Sequence, residues 1–244
     1  MKNSANHNAV AMIELIFAIV IMAIVLLSAP MLIHQSIKSS FVGMQQEAIN
    51  TLSSHLSLIL TKEWDEANAD TQFDPSILVV DGGDEKLGIK NEDRYRAGTF
   101  NPSKRTFASD NGGNKLKASL SSNFGEDADG TEKFNDIDDY DGNKAIISVF
   151  GDTTSGGSDY VDNEIEMVTT VKYGGDSTDS GDYNSDSKLV FNHPFNDTQD
   201  TSTNIKLISV QLTTNNKANE LKKNIRLSAF ACNIGNYSLS IRDF

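Results

Sequence analysis

Glu14 is the residue of this chain best placed to do chemistry. It lies near the start of the run AVAMIELIFAIVIMAIVLLSAPMLI, residues 9–33, in which it is the one charged side chain. A carboxylate in hydrocarbon costs about 2.5–3.5 kcal/mol on insertion scales, so a dedicated cationic partner is expected. The chemistry this implies is charge pairing, not catalysis. A second candidate is the acidic stretch holding Glu126, Asp127, Asp129 and then Asp136, Asp138, Asp139 and Asp141 ahead of Gly142 and Asn143. Calcium takes about six to eight oxygen ligands, and alternating carboxylates in a turn can supply them. The EF-hand register fails, because counting back from Gly142 puts Ile137 at the first ligand position and counting back from Gly130 puts Gly125 there. The stretch therefore reads as a solvated turn, with calcium binding as the alternative and no residue assigned as a metal ligand.

The other reactive residue types are scattered. His7, His34, His55 and His193 form no cluster, and His34 and His55 read as solvent-facing or interfacial. Cys232 is the single cysteine, so no intrachain disulfide can form. In its apolar run with Leu227, Ala229, Phe230 and Ala231 it reads as a small buried hydrophobe. Phosphate-loop, dinucleotide, nucleophile-elbow and zinc-protease signatures are all missing. Neither a catalytic constellation nor a cofactor is expected, and the chain does not read as an enzyme.

The element that must position Glu14 is a membrane helix. A run of this length spans a hydrocarbon layer of ~30 Å at about 1.5 Å per residue. The apolar core of a cleavable secretory signal is normally only ~7–15 residues, so this run is too long for one.

The segment from Ala9 to Pro30 resembles the N-terminus of type IV pilins and of the pseudopilins of type II secretion. In that family a short polar leader is cut by a membrane-embedded peptidase that also methylates the new amino terminus, and a glutamate stands fifth in the mature chain. The resemblance implies a leader of residues 1–9, a cut between Ala9 and Val10, and Glu14 as the fifth mature residue. Pro30 falls near where family members often carry a proline. Ala9 stands where the family usually has Gly, and Val10 where it usually has Phe or Met. The implied partners are other pilin-like subunits, the prepilin peptidase, the inner-membrane assembly machinery and the lipid bilayer. The implied location is the inner membrane, single-pass, with a cytoplasmic start and an exported head that later enters a filament. The implied function is that of a minor pilin or pseudopilin.

Beyond a membrane helix over residues 10–33, the sequence predicts an amphipathic continuation over 34–67. Ile37, Phe41, Met44, Ala48, Leu52, Leu56, Ile59 and Leu60 recur at spacings of three and four, which makes one stripe. Pro30 removes a backbone donor and is expected to kink or loosen the helix. Trp64 reads as a core anchor. Residues 68–244 form the exported head.

In that head Ile77–Val80 reads as a short strand, residues 81–143 as mostly polar loop with weak strands near Phe100 and Leu116, and 145–150 as a clear strand. Ile165, Met167, Thr169, Val171 and Tyr173 alternate with polar residues, the period of a half-buried strand. Residues 174–188 read as a flexible loop. Residues 205–212 and 224–232 make the best strand pair, and 236–241 a further edge strand. The change of apolar phase between Leu207 and Ile208 predicts a bulge or a strand buried on both faces. The fold class is α+β: a long helix against an antiparallel sheet with long polar loops.

Charge sharpens the choice of function class. Residues 81–200 carry 25 acidic and 12 basic side chains, so the whole net charge of −13 lies in this part of the head. Nucleic acid and anionic lipid are disfavoured as partners of the head. The second reading is a signal-anchored extracytoplasmic binding protein whose acidic head captures calcium or a cationic ligand.

Overall fold

A computed structural model describes residues 4–69, 76–88, 96, 106–110, 112–125, 134–148, 164–181, 183, 188–191, 194–214 and 224–235. The chain divides into two compact units, Met1–Ile49 and Asn50–Phe244. In the first unit the backbone is helical from Ser4, the start of α1 (Ser4–Ile59), and Pro30 lies inside that helix. Every described side chain from residue 11 to residue 40 is exposed. α1 is long and apolar enough to cross a membrane.

The second unit begins with the last turns of α1. Leu52, Leu56 and Ile59, at spacings of four and three, are buried there, as the stripe requires. A short α2 (Glu66–Ala69) follows, then β1 (Ser76–Ile77), β2 (Thr106–Phe107), β3 (Lys144–Ser148), β4 (Glu164–Gly174), β5 (Thr178–Ser180), β6 (Val190–Phe191), β7 (Thr198–Gln199), β8 (Ile205–Thr214) and β9 (Asn224–Cys232). The main sheet is antiparallel in the order β3-β4-β8-β9, and β7 pairs with the end of β4 at Tyr173 and Gly174. β1 and β2 form a separate pair that is parallel, and β5 and β6 an antiparallel one. The arrangement is α+β, with one long apolar helix and an antiparallel sheet.

The alternation read in 165–173 is that of β4: all five odd-numbered residues are buried. Their partners in register on β8 are Lys206 opposite Tyr173, Ile208 opposite Val171, Val210 opposite Thr169 and Leu212 opposite Met167. These β8 residues are buried too. Pairing of β8 with both neighbours runs without a register break, so the phase change at Leu207 marks a strand buried on both faces, not a bulge.

The helix ends earlier than the 34–67 expectation. Thr61 N–H donates to Leu58 O and Lys62 N–H to Ile59 O, which tightens the last turn, and the Thr61 hydroxyl takes Leu58 O as well. The backbone beyond is committed elsewhere: Glu63 bridges Asp136, and Ile137 N–H donates to Glu63 O.

The expected flexible loop at 174–188 is also corrected. It contains β5, and Asp176 within it is buried and hydrogen-bonded. Strands expected near Phe100 and over 236–241 lie outside the described residues.

Candidate functional site

Two constructions in this chain bear on function, one in each unit. In the first, Ala9, Val10, Glu14 and Pro30 all lie on α1. Glu14 is exposed on a helix face whose large neighbours Ile13, Leu15, Ile16 and Phe17 are more than half exposed. A helix apolar all round is stable only in lipid or packed against other helices. Among the described residues Glu14 has no partner, which is the condition under which a cation from outside the chain becomes valuable.

The second construction lies in the second unit, around a buried lysine, and was not read from the sequence. Lys206 on β8 is completely buried. An ammonium has three N–H donors. Nζ donates to Trp64 O at 2.7 Å, Asp65 Oδ2 at 2.9 Å and Asp138 Oδ1 at 2.6 Å. Trp64, Phe124 and Tyr173 surround it, with ring centroids 4.3, 5.1 and 5.7 Å from Nζ. A buried charge is tolerated when it is paired and fully hydrogen-bonded, and here it is both.

The carboxylates around Lys206 differ in their surroundings. Asp65 accepts from the Ser119 N–H and hydroxyl and from the Ala67 N–H, so donors crowd its oxygens. Asp138 is buried and hydrogen-bonds with the side chain of Asp136, and burial raises its affinity for a proton despite Lys206. Asp136 is pushed up to about 9, by burial first and then by the charge of Asp138. It stays protonated at neutral pH and can donate. Tyr173 donates to Ser119 O at 2.7 Å, and burial raises its pKa as well.

This overturns the solvated turn expected at the acidic stretch. Asp136, Asp138 and Asp139 are buried, because the turn folds over Lys206 instead of facing water. Asp139 accepts from Asn135 N–H, Asp136 accepts from Asp139 N–H, and Asp141 accepts from Val171 N–H. Glu126, Asp127 and Asp129 lie outside the described residues. Among the described residues no group of His, Cys, Asp and Glu is arranged to hold a metal.

A further polar network fastens the loops to the end of the sheet. Arg96 donates to Asn204 Oδ1 at 2.7 Å, to Leu87 O at 3.1 Å and to Asn233 O, and burial pulls its pKa down to about 10. Asp176 accepts from Asn204 Nδ2 at 2.5 Å and from the backbone N–H groups of Asn204 and Asp84. The two histidines expected to face solvent or an interface part ways. His34 is exposed, while half-buried His55 meets Thr169 Oγ1 at 3.1 Å and the edge of Tyr140, and burial lowers its pKa. Trp64 is a core anchor, and its indole N–H donates to Ala231 O. Cys232 is only half-buried.

Lys206 carried one sequence signal. It holds the inward phase of Ile208, Val210 and Leu212 on the strongest strand of the chain. A lysine in that phase demands buried acids, and the acidic stretch supplies one of them, Asp138.

Comparison with family models, with curated proteins and with solved structures finds no match to this chain.

Proposed function

We propose that the chain is a structural subunit, a minor pilin or pseudopilin, of a type IV pilus or type II secretion filament, held in the inner membrane before assembly. The single supporting observation is Glu14, the one charge in an apolar run whose described side chains are all exposed on a continuous helix. Removal of residues 1–9 would leave a positive amine on Val10. In a bundle of such helices, Glu14 of one subunit would pair with the Val10 amine of another, which offsets the desolvation of both charges. The pair would fix axial register, and Leu15–Leu27 would supply the packing. The exported head then serves as the unit that the filament displays.

The deciding experiment is mass spectrometry of the amino terminus of the protein isolated from its membrane. A chain beginning at a methylated Val10 is expected. Retention of residues 1–9 would leave a plain signal anchor and remove the proposed charge pair.

A further inference from the structure

The surroundings of Lys206 are those of a reaction as much as of an ion pair. A primary amine and a carboxyl group are held at 2.6 Å, out of water, with a protonated acid hydrogen-bonded to the carboxyl. Loss of one water molecule separates this pair from an amide. In bulk water that condensation is opposed by hydration of both ions. In a site without solvent the opposition is removed, because burial favours the neutral amine and neutral acid over the charged pair.

We propose that Lys206 and Asp138 join spontaneously in an intramolecular amide bond between Nζ and Cγ, cross-linking β8 to the turn over 138–140. This inference is independent of the filament reading and goes beyond it.

Asp138 is the acceptor because the alternatives are worse. Trp64 offers a backbone carbonyl, and the carboxyl oxygens of Asp65 are already engaged by the Ser119 and Ala67 donors. Asp138 has Asp136. The step balances without any added reagent. A proton passes from Nζ to Asp138, leaving the amine lone pair facing the neutral carboxyl. Nζ adds to Cγ while Asp136 donates its proton to the oxygen that gains charge. One C–O bond then breaks. The departing oxygen leaves as water with two hydrogens that began on Nζ, one of them relayed through Asp136, which ends protonated as it started. Nζ keeps one hydrogen, and nothing is oxidised or reduced. Trp64, Phe124 and Tyr173 contribute by excluding water, which would hydrate the amine and favour the reverse reaction.

The test is the mass of the full-length protein, purified in detergent and then denatured, followed by tryptic digestion. The expected mass is lower than the sequence mass of the chain, from its observed amino terminus, by one water. Digestion is expected to yield peptide 134–144 joined to peptide 189–217, because trypsin cannot cut at an acylated Lys206. Lys206→Arg keeps a buried cation but cannot form the bond, and should restore the full mass. Asp136→Asn should leave most of the protein unlinked while the head stays folded by circular dichroism. Wild-type protein at full mass overturns the proposal. So does a water deficit without the joined peptides, which would mark ring closure at an Asp-Gly step such as Asp141–Gly142. A bond mapped to Asp65 overturns the choice of acceptor, and complete linkage in Asp136→Asn overturns the role of Asp136.

Discussion

Asn233 holds Leu78 as a neighbouring strand would. Its Oδ1 accepts from the Leu78 N–H at 3.0 Å, and its Nδ2 donates to Leu78 O at 2.7 Å. Both residues are buried and they lie 155 positions apart, so one side-chain amide closes the gap between the start of the head and the end of β9. Nδ2 also reaches Asn204 Oδ1, which joins the clasp to the Arg96 network. A chain with a single cysteine cannot staple this region with an intrachain disulfide, and polar side chains do the fastening instead.

The clasp predicts the outcome of Asn233→Ala. The substitution leaves the N–H and the C=O of Leu78 buried without their partner. At about 1–3 kcal/mol for each unsatisfied buried group, the head should lose about 2–6 kcal/mol. Thermal melting of the full-length protein in detergent, followed by far-ultraviolet circular dichroism, measures it. A change below about 1 kcal/mol, within what a single ordinary hydrogen bond contributes, would mean that water replaces the clasp.

Buried and exposed ion pairs should separate cleanly. Lys206→Met removes the partner of Asp65 and Asp138, whether it is held by charge or by the proposed amide, and leaves two acidic side chains in a dry site. Breaking such a pair costs about 3–5 kcal/mol. Lys117 and Asp81 approach just as closely, at 2.8 Å, but both are largely in solvent. Lys117→Ala should cost less than about 1 kcal/mol. Equal melting temperatures for the two variants would contradict the burial of Lys206.

The protonated state of Asp136 sets a pH dependence. A carboxyl whose folded pKa is raised from 3.8 to about 9 contributes its stabilisation fully below the lower value and loses it as pH rises through the upper one. Asp138 is shifted in the same direction. His55, shifted down by burial, acts on acidification and leaves the alkaline side untouched. The melting temperature of the head should therefore fall as pH is raised from about 7 to about 9. Burial is the largest cause of the Asp136 shift, so the trend persists whether or not Lys206 has reacted. In Asp136→Asn the slope should flatten. A wild-type melting temperature that rises over this window would refute the assignment.

How much of this was legible follows from how local each signal is. β4 could be read because alternation is a property of consecutive residues, and β8 with β9 because their apolar runs leave no other period. The apolar run around Glu14 is local in the same sense. The end of α1 was misplaced because what stops it is distant. Trp64 and Asp65 give a carbonyl and a carboxylate to Lys206, 142 and 141 residues away, and Glu63 gives the Ile137 N–H the carbonyl that a helix continuing to residue 67 would use internally. The acids at 136–139 looked solvated because a sequence shows the charges of a turn but not the lysine that the sheet brings beneath it. Asp176 was hidden the same way, in a stretch with almost no apolar residues whose one buried acid is held by Asn204 and the Asp84 backbone.

Glu14 offers the sharpest separation between anchoring and assembly. Glu14→Ala removes the only charge from residues 9–33, so insertion into the bilayer should be unchanged or easier. If the carboxylate pairs with the Val10 amine of a neighbouring subunit, the same change strips each contact in a filament of its compensating charge. Incorporation into sheared filaments or secretion complexes should fall about tenfold, the ratio given by about 1.4 kcal/mol of lost pairing. Glu14→Gln distinguishes charge from hydrogen bonding, since it keeps the shape and the carbonyl acceptor and should assemble no better than Glu14→Ala. Immunoblots of the membrane and filament fractions report both steps in one preparation. Full incorporation of Glu14→Ala, with normal membrane levels, would reduce the segment to an anchor and take away the reason for a carboxylate there.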